Sequence, residues 1–308
     1  MSTRSDAVAG NGTVTTGRAF ALLGAVVVLW GANWPIMKVG LESIPPLWFG
    51  TLRMAIGAGV LFAVLAVMGR FRLPARQDWP VVLSVGLFHM TLVTALMYIG
   101  LTYVDAGRAA LLSYTTPLWV APMAVLLLGE TLGWRKIMGI AVGMSGLAVL
   151  FNPLGFDWSN PDTVTGNGIL ASSAMVWAFA IIHVRKHQWH GTALDVAPWQ
   201  MAIAGVLLGA AALVMEDAGA IQWSGWLAAN LAYNGIIASS FCFWAMLTVM
   251  RSLPAVTTST ASLAIPVSGV LFSALALGEA LTPTLLGGLA LILTGVALVS
   301  LPQRLRAA

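Results

Sequence analysis

Apolar residues fall in long blocks separated by short polar breaks, at the spacing of repeated membrane crossings. Taking about 20 apolar residues per span, the pattern predicts ten helices. They lie at 18–39, 46–68, 79–103, 107–128, 135–151, 167–187, 196–216, 224–250, 256–277 and 283–302. The blocks are too long for the ten-residue alternation of a membrane barrel. Connections are short except for 152–166, NPLGFDWSNPDTVTG, whose Pro, Gly, Asn and Asp combinations favour turns. That stretch predicts an external linker between two five-helix halves, 18–151 and 167–303. Residues 1–17 are polar and rich in Gly, Ser and Thr and predict a disordered tail, with a short second tail at 304–308. The first apolar block is about a full span and no small-residue cleavage site follows it. It therefore reads as a retained helix and not as a signal peptide.

Composition fixes the class. Of 308 residues, 59% are hydrophobic and 8% charged, too few charges to build a water-facing surface. The expectation is an all-α integral membrane protein whose constant partner is the lipid bilayer. The single cysteine, Cys242, rules out an internal disulfide. The net charge of +4 says less than its placement. With the N-terminus inside, the inner segments hold Arg4, Arg18, Arg70, Arg72, Arg76, Arg135, Lys136, Arg185, Lys186, Arg251, Arg304 and Arg306. The outer connections hold Arg108 alone. This asymmetry predicts two cytoplasmic termini.

The halves resemble each other. SYTTPLWVAPMAVLLLGETL (113–132) aligns with SLAIPVSGVLFSALALGEAL (262–281) at an offset of 149, pairing Ser113/Ser262, Pro117/Pro266, Gly129/Gly278 and Glu130/Glu279. Trp30 pairs with Trp177 at an offset of 147. A half with an odd number of spans places its copy upside down. Inverted repeats of this kind build alternating-access transporters with the substrate site near the membrane midplane.

Three features together point to a family: the five-plus-five organisation, a first helix reading WGANW (30–34), and Leu-Gly-Glu closing the fourth and ninth helices. Over about 18–303 the chain resembles the drug/metabolite transporter superfamily and, within it, the ten-helix EamA-type exporters of amino acids and metabolites. The WGANWPIMK segment and the abundance of aromatic residues look most like the bacterial aromatic amino-acid exporters. The resemblance implies a central cavity lined mainly by helices 1, 3, 4, 6, 8 and 9, with helices 5 and 10 peripheral. It also implies export, from a bacterial inner membrane.

Candidate substrate-binding residues follow from polar and aromatic groups placed where lipid offers no partner. Trp30, Asn33, Trp34 and Met37 share one helical face, and Pro35 can kink that helix toward a cavity. Eight of the thirteen tryptophans fall near helix ends and suit an interfacial belt. Trp30, Trp34, Trp119, Trp177 and Trp244 lie within spans and are expected to wall a cavity, though ordinary packing would account for one or two of them. Hydrogen bonds to the ends of an amino-acid substrate are expected from Asn33, His89, Tyr98, Ser113, Tyr114, Asn234, Ser239 and Ser262. By α-helical spacing Thr91, Thr94 and Tyr98 share a face that excludes His89. Ser and Thr at such sites also bond their own backbone. Lys38 can snorkel outward, and each Gly-Glu step reads as a helix end followed by a carboxylate at the start of the next helix. Arg53 can reach the outer interface, pair with Glu42, or hold a carboxylate.

The missing groups narrow the function. No Asp or Glu lies mid-span, which disfavours a dedicated exporter of permanent cations. HExxH, GxSxG, phosphate-binding loops and Cys/His clusters are absent, so no enzyme, cofactor or metal is expected. Nothing points to a nucleic-acid partner. Only His89 and His183 titrate within spans near neutral pH, so facilitated transport without obligatory proton coupling is expected. The GxxxG patterns GIAVG (139–143) and GVLLG (205–209) suit close packing within the chain or a homodimer.

Overall fold

The computed structural model describes residues 14–129, 133–151, 160–187 and 190–300. Glu130, Trp158, Trp189 and most of both expected tails lie outside the described residues. Within them the chain is helical, without strands. Ten helical rods follow one another: α1 (Thr16–Gly40), α2 (Pro46–Val67), α3 (Arg76–Tyr103), α4 (Ala106–Leu128), α5 (Trp134–Phe151), α6 (Pro161–Lys186), α7 (Ala193–Met215), α8 (Gly225–Ser252), α9 (Ala255–Ser262 continued by Ala264–Leu277) and α10 (Pro283–Ser300). Seven of them, α1–α4 and α6–α8, are long and apolar enough to cross a membrane. The chain is a multi-pass membrane protein, in which each helix satisfies its own backbone where water is absent.

Local chemistry sets the helix ends. Pro46 and Pro161 stand in first turns, where a missing N–H costs nothing. Asn160 caps α6, its side-chain oxygen accepting from the amides of Asp162 (3.1 Å) and Thr163 (3.4 Å). Residues 161–166 therefore open α6 and are not part of the linker, because Asn-Pro here is a helix start. Gly129 and Gly278 end α4 and α9 at φ 67° and 69°, a left-handed conformation that suits glycine.

Two irregularities recur at matching positions. α3 and α8 each contain a π-helical stretch, Val85–Val93 and Tyr233–Phe241, with i→i+5 bonding. A hydroxyl reaches back five residues in each. Thr91 Oγ1 donates to Gly86 O at 2.7 Å and Ser240 Oγ to Gly235 O at 2.9 Å, both pairs being related by an offset of 149. The glycines also let neighbours close in. A Cβ at Gly86 would lie 3.1 Å from Ile203 of α7, and one at Gly235 2.5 Å from Ile56 of α2. α4 is interrupted between Ser113 and Thr116, and α9 at Leu263.

α1 packs on α8 and α9, α2 on α7 and α8, α3 on α6 and α7, and α4 on α6 and α9. α5 and α10 pair with each other, the glycines of α5 lying against Gly295 and Ile292. Gly205 and Gly209 lie against Ala55 and Thr51 of α2. Both GxxxG patterns thus serve contacts inside the chain.

The end of the bundle holding the last turn of α1 is tied shut. Lys38 Nζ reaches the end of the neighbouring helix. It donates to Leu101 O (2.7 Å) and Val104 O (2.8 Å) at the end of α3, where a cation suits the helix dipole. Glu279 does not serve the helix that follows it. Its carboxylate crosses to α4 and accepts from the amides of Ala106 (2.6 Å) and Gly107 (2.9 Å). Burial pushes the Glu279 carboxyl above the usual range, and the two amides pull against that shift.

Candidate functional site

A cavity of about 340 Å³ lies between the two halves, at the lower end of the usual range for small-molecule sites. It extends along α8 past Met246 and Leu247 to Met250, away from the tied end. Side chains of α1, α2, α3, α4, α6, α7 and α8 line it. Among the described residues α9 contributes none, contrary to the expected lining. It packs behind, where Gly269 allows contact with Ala110 of α4 and Trp34 of α1. α2 enters instead, through Arg53 and Met54, and α7 through Met201.

The face predicted on α1 is present: Trp30, Asn33, Trp34 and Met37 all line the cavity. His89, Ser113, Tyr114, Trp177 and Ser239 join them. His89 stacks on Trp177, ring centroids 5.1 Å apart and planes 12° from parallel. The related position holds a hydrogen bond: Trp30 Nε1 donates to Ala238 O at 2.8 Å. Asn33 Oδ1 and Ser113 Oγ are buried and have no hydrogen-bond partner among the described residues. Groups so placed cost free energy unless something in the cavity pairs with them.

Five expected residues are elsewhere. Tyr98 is fully buried behind the lining, where its hydroxyl accepts from Arg53. Trp119 turns back along α4, its indole N–H 3.3 Å from Thr115 Oγ1. Asn234 is held inside α8, its amide donating to Asn230 O and Oδ1 at 3.0 Å. Trp244 is 41% exposed and packs on Phe241 at the outer surface of the bundle. Ser262 donates to Thr258 O of its own helix at 2.8 Å.

The π stretch explains the disagreement over α3. With i→i+5 bonding, His89 and Thr94 both line the cavity along with Met90, Val93 and Met97, while Tyr98 turns away. α-Helical spacing grouped Thr94 with Tyr98 and apart from His89, whereas the cavity brings Thr94 together with His89. One other feature escaped notice in the sequence. Seven of the fourteen methionines line the cavity, a signal available as unusual Met abundance. Arg53 lines it too; it does not pair with Glu42, and it donates to Ser239 Oγ at 2.7 Å and Tyr98 OH at 2.6 Å.

Comparison with known proteins gives a consistent picture. The pattern of the EamA-like transporter family matches twice, at 16–152 and 164–301. A Bacillus subtilis (strain 168) protein named "Uncharacterized transporter YvbV" is 30% identical over 92% of each chain. A "Probable terminal-alkyne amino-acid exporter" of Streptantibioticus cattleyicolor is 28% identical over 89% of this chain and 90% of its own. A "Probable amino-acid metabolite efflux pump" of Escherichia coli (strain K12) is 26% identical over 88% of this chain and 91% of its own. A solved crystal structure, 22% identical, has a TM-score of 0.63 and covers 94% of this chain and 98% of that one; that likeness is one of fold.

Proposed function

The chain belongs to the EamA-like transporter family, and on that footing we propose that it exports neutral amino acids with aromatic or large apolar side chains, and similar small metabolites, across a bacterial inner membrane. The observation that carries this reading is the composition of the cavity. Aromatic and methionine walls stand beside two polar lining residues, Asn33 and Ser113, whose buried Oδ1 and Oγ have no partner among the described residues. Such a site holds a solute that is apolar over most of its surface and polar at one end. Methionine side chains adapt to different shapes, which suits a range of side chains over a single one. Among the described residues no Asp or Glu lines the cavity, which speaks against cationic drugs. The relatives named as amino-acid exporters support the same substrate class.

In this proposal all ten rods cross the membrane, and 18–151 and 167–303 act as inverted repeats that alternate around the cavity. Both termini are cytoplasmic, so the tied end faces outward. Cysteines replacing Gln77 and Asp162 in a Cys242→Ala background test the orientation. An impermeant thiol reagent is expected to label position 162 from outside whole cells, and position 77 only after permeabilisation. Labelling of 162 solely from the cytoplasmic side would overturn the inverted arrangement.

Flux in proteoliposomes tests the substrate class. Counterflow of Phe and Leu is expected to exceed that of Ala, and an imposed pH gradient is expected not to drive accumulation. Trp177→Ala removes a wall and the stacking partner of His89. It should shift the Phe-to-Ala preference by about tenfold while the protein stays monodisperse. An equal loss for every solute, with a matching loss of thermal stability, would assign Trp177 to packing.

A further inference from the structure

We propose that Arg53 is the receptor for the substrate carboxylate, so that the cavity selects free α-amino acids over their amides, esters and decarboxylated amines. This rests on the reading of the cavity as the transport site.

Arg53 stands about 10 Å along α2 from Pro46, at 1.5 Å per residue. A guanidinium does not lose its charge in proteins, and a charge at such depth is costly without a partner. Among the described residues no carboxylate pairs with it. Its contacts are neutral: Nε donates to Ser239 Oγ at 2.7 Å, Nη1 to Tyr98 OH at 2.6 Å, and Nη1 lies 3.4 Å from Met37 Sδ. Nη2 makes no hydrogen bond to the protein among the described residues. These contacts orient the fork without neutralising it. Tyr98 is buried behind the lining, and Ser239 is fixed by its own bond to Asn234 O at 2.8 Å. Both act as positioning residues.

The missing negative charge is one that a substrate can bring. A carboxylate suits the planar guanidinium geometrically and electrostatically. Asn33 and Ser113 line the same cavity, and their buried Oδ1 and Oγ, which have no partner among the described residues, are left to accept hydrogen bonds from an ammonium group. A zwitterion satisfies both needs and brings no net charge into the membrane. A lone amine leaves Arg53 unpaired and adds a second positive charge to the cavity.

Binding to purified protein, read by quenching of the cavity tryptophans, tests this apart from transport. The ligands are phenylalanine, phenylalaninamide, phenethylamine and 3-phenylpropionate. In the unaltered protein, phenylalanine should bind at least about tenfold more tightly than its amide or phenethylamine, and 3-phenylpropionate should compete with it. Arg53→Gln should erase that preference, and Arg53→Lys should keep part of it. Tyr98→Phe leaves the lining intact and should reduce the phenylalanine-to-amide ratio. Equal binding of phenylalanine and its amide by the unaltered protein, or an unchanged ratio in a folded Arg53→Gln variant, would overturn the proposal. Selective binding without any amino-acid flux in proteoliposomes would instead overturn the transport reading and leave the carboxylate receptor standing.

Discussion

Cysteines placed at Gly107 and Val270 are expected to stop transport when oxidised and to release it when reduced. The two positions face each other across the seam between α4 and α9 at the tied end. A Cβ at Gly107 would lie 3.3 Å from Val270 Cα and 3.6 Å from Val270 Cγ2, within reach of disulfide geometry. Glu279 stitches the same seam by accepting from the Ala106 and Gly107 amides. Alternating access requires this end to part when the other closes. A covalent bond there should lower flux by more than about tenfold, in a Cys242→Ala background, with recovery on adding reductant. Gel mobility after cleavage between positions 107 and 270 reports the crosslink. Full turnover by crosslinked protein would show that the seam does not open.

The second large effect is structural. Gly295→Val is expected to destabilise the protein severely, because a Cβ there would collide with the Gly143 backbone and with Gly139 O across the α5–α10 contact. Side chains can rotate out of a clash, but two backbones can only separate. Inserting a side chain should therefore cost more than about 3 kcal/mol, lowering the thermal midpoint in detergent and producing aggregate on size exclusion. Gly287→Val supplies the control. It lies on the same helix with nothing within 4 Å of its Cβ position, and it should behave like the parent. Equal stability of the two variants would refute the packing argument.

Much of the fold was legible because a membrane leaves the sequence little freedom. Long apolar blocks mark helices, and Gly129 and Gly278 mark where two of them stop. The Trp30, Asn33, Trp34 and Met37 face was readable because α1 keeps α-helical phase there despite Pro35. The same reasoning failed on α3 and α8, where the π stretches shift the phase. His89 was expected in the cavity but apart from Thr94, which it joins there, and Tyr98 and Asn234 were expected at a surface they do not reach. Trp244 looked like a wall residue because its depth is visible in sequence while its direction is not. For Arg53 the sequence left three readings open: the outer interface, Glu42, or a carboxylate. Sequence could not show that its partners, Ser239 and Tyr98, come from two other helices and carry no charge.

The π stretches also carry history. Trp30 and Trp177, like Ile56 and Ile203, are 147 positions apart, whereas Gly86 and Gly235 are 149 apart. The segment between Ile203 and Gly235 is thus two residues longer than that between Ile56 and Gly86. The π turn, its glycine and its reaching hydroxyl stayed in step in both copies. A feature shared at matching positions is most simply inherited from the single unit that was doubled. On that account the widened turn beside the cavity is older than the two-part chain, and the connections are where later divergence in length was absorbed.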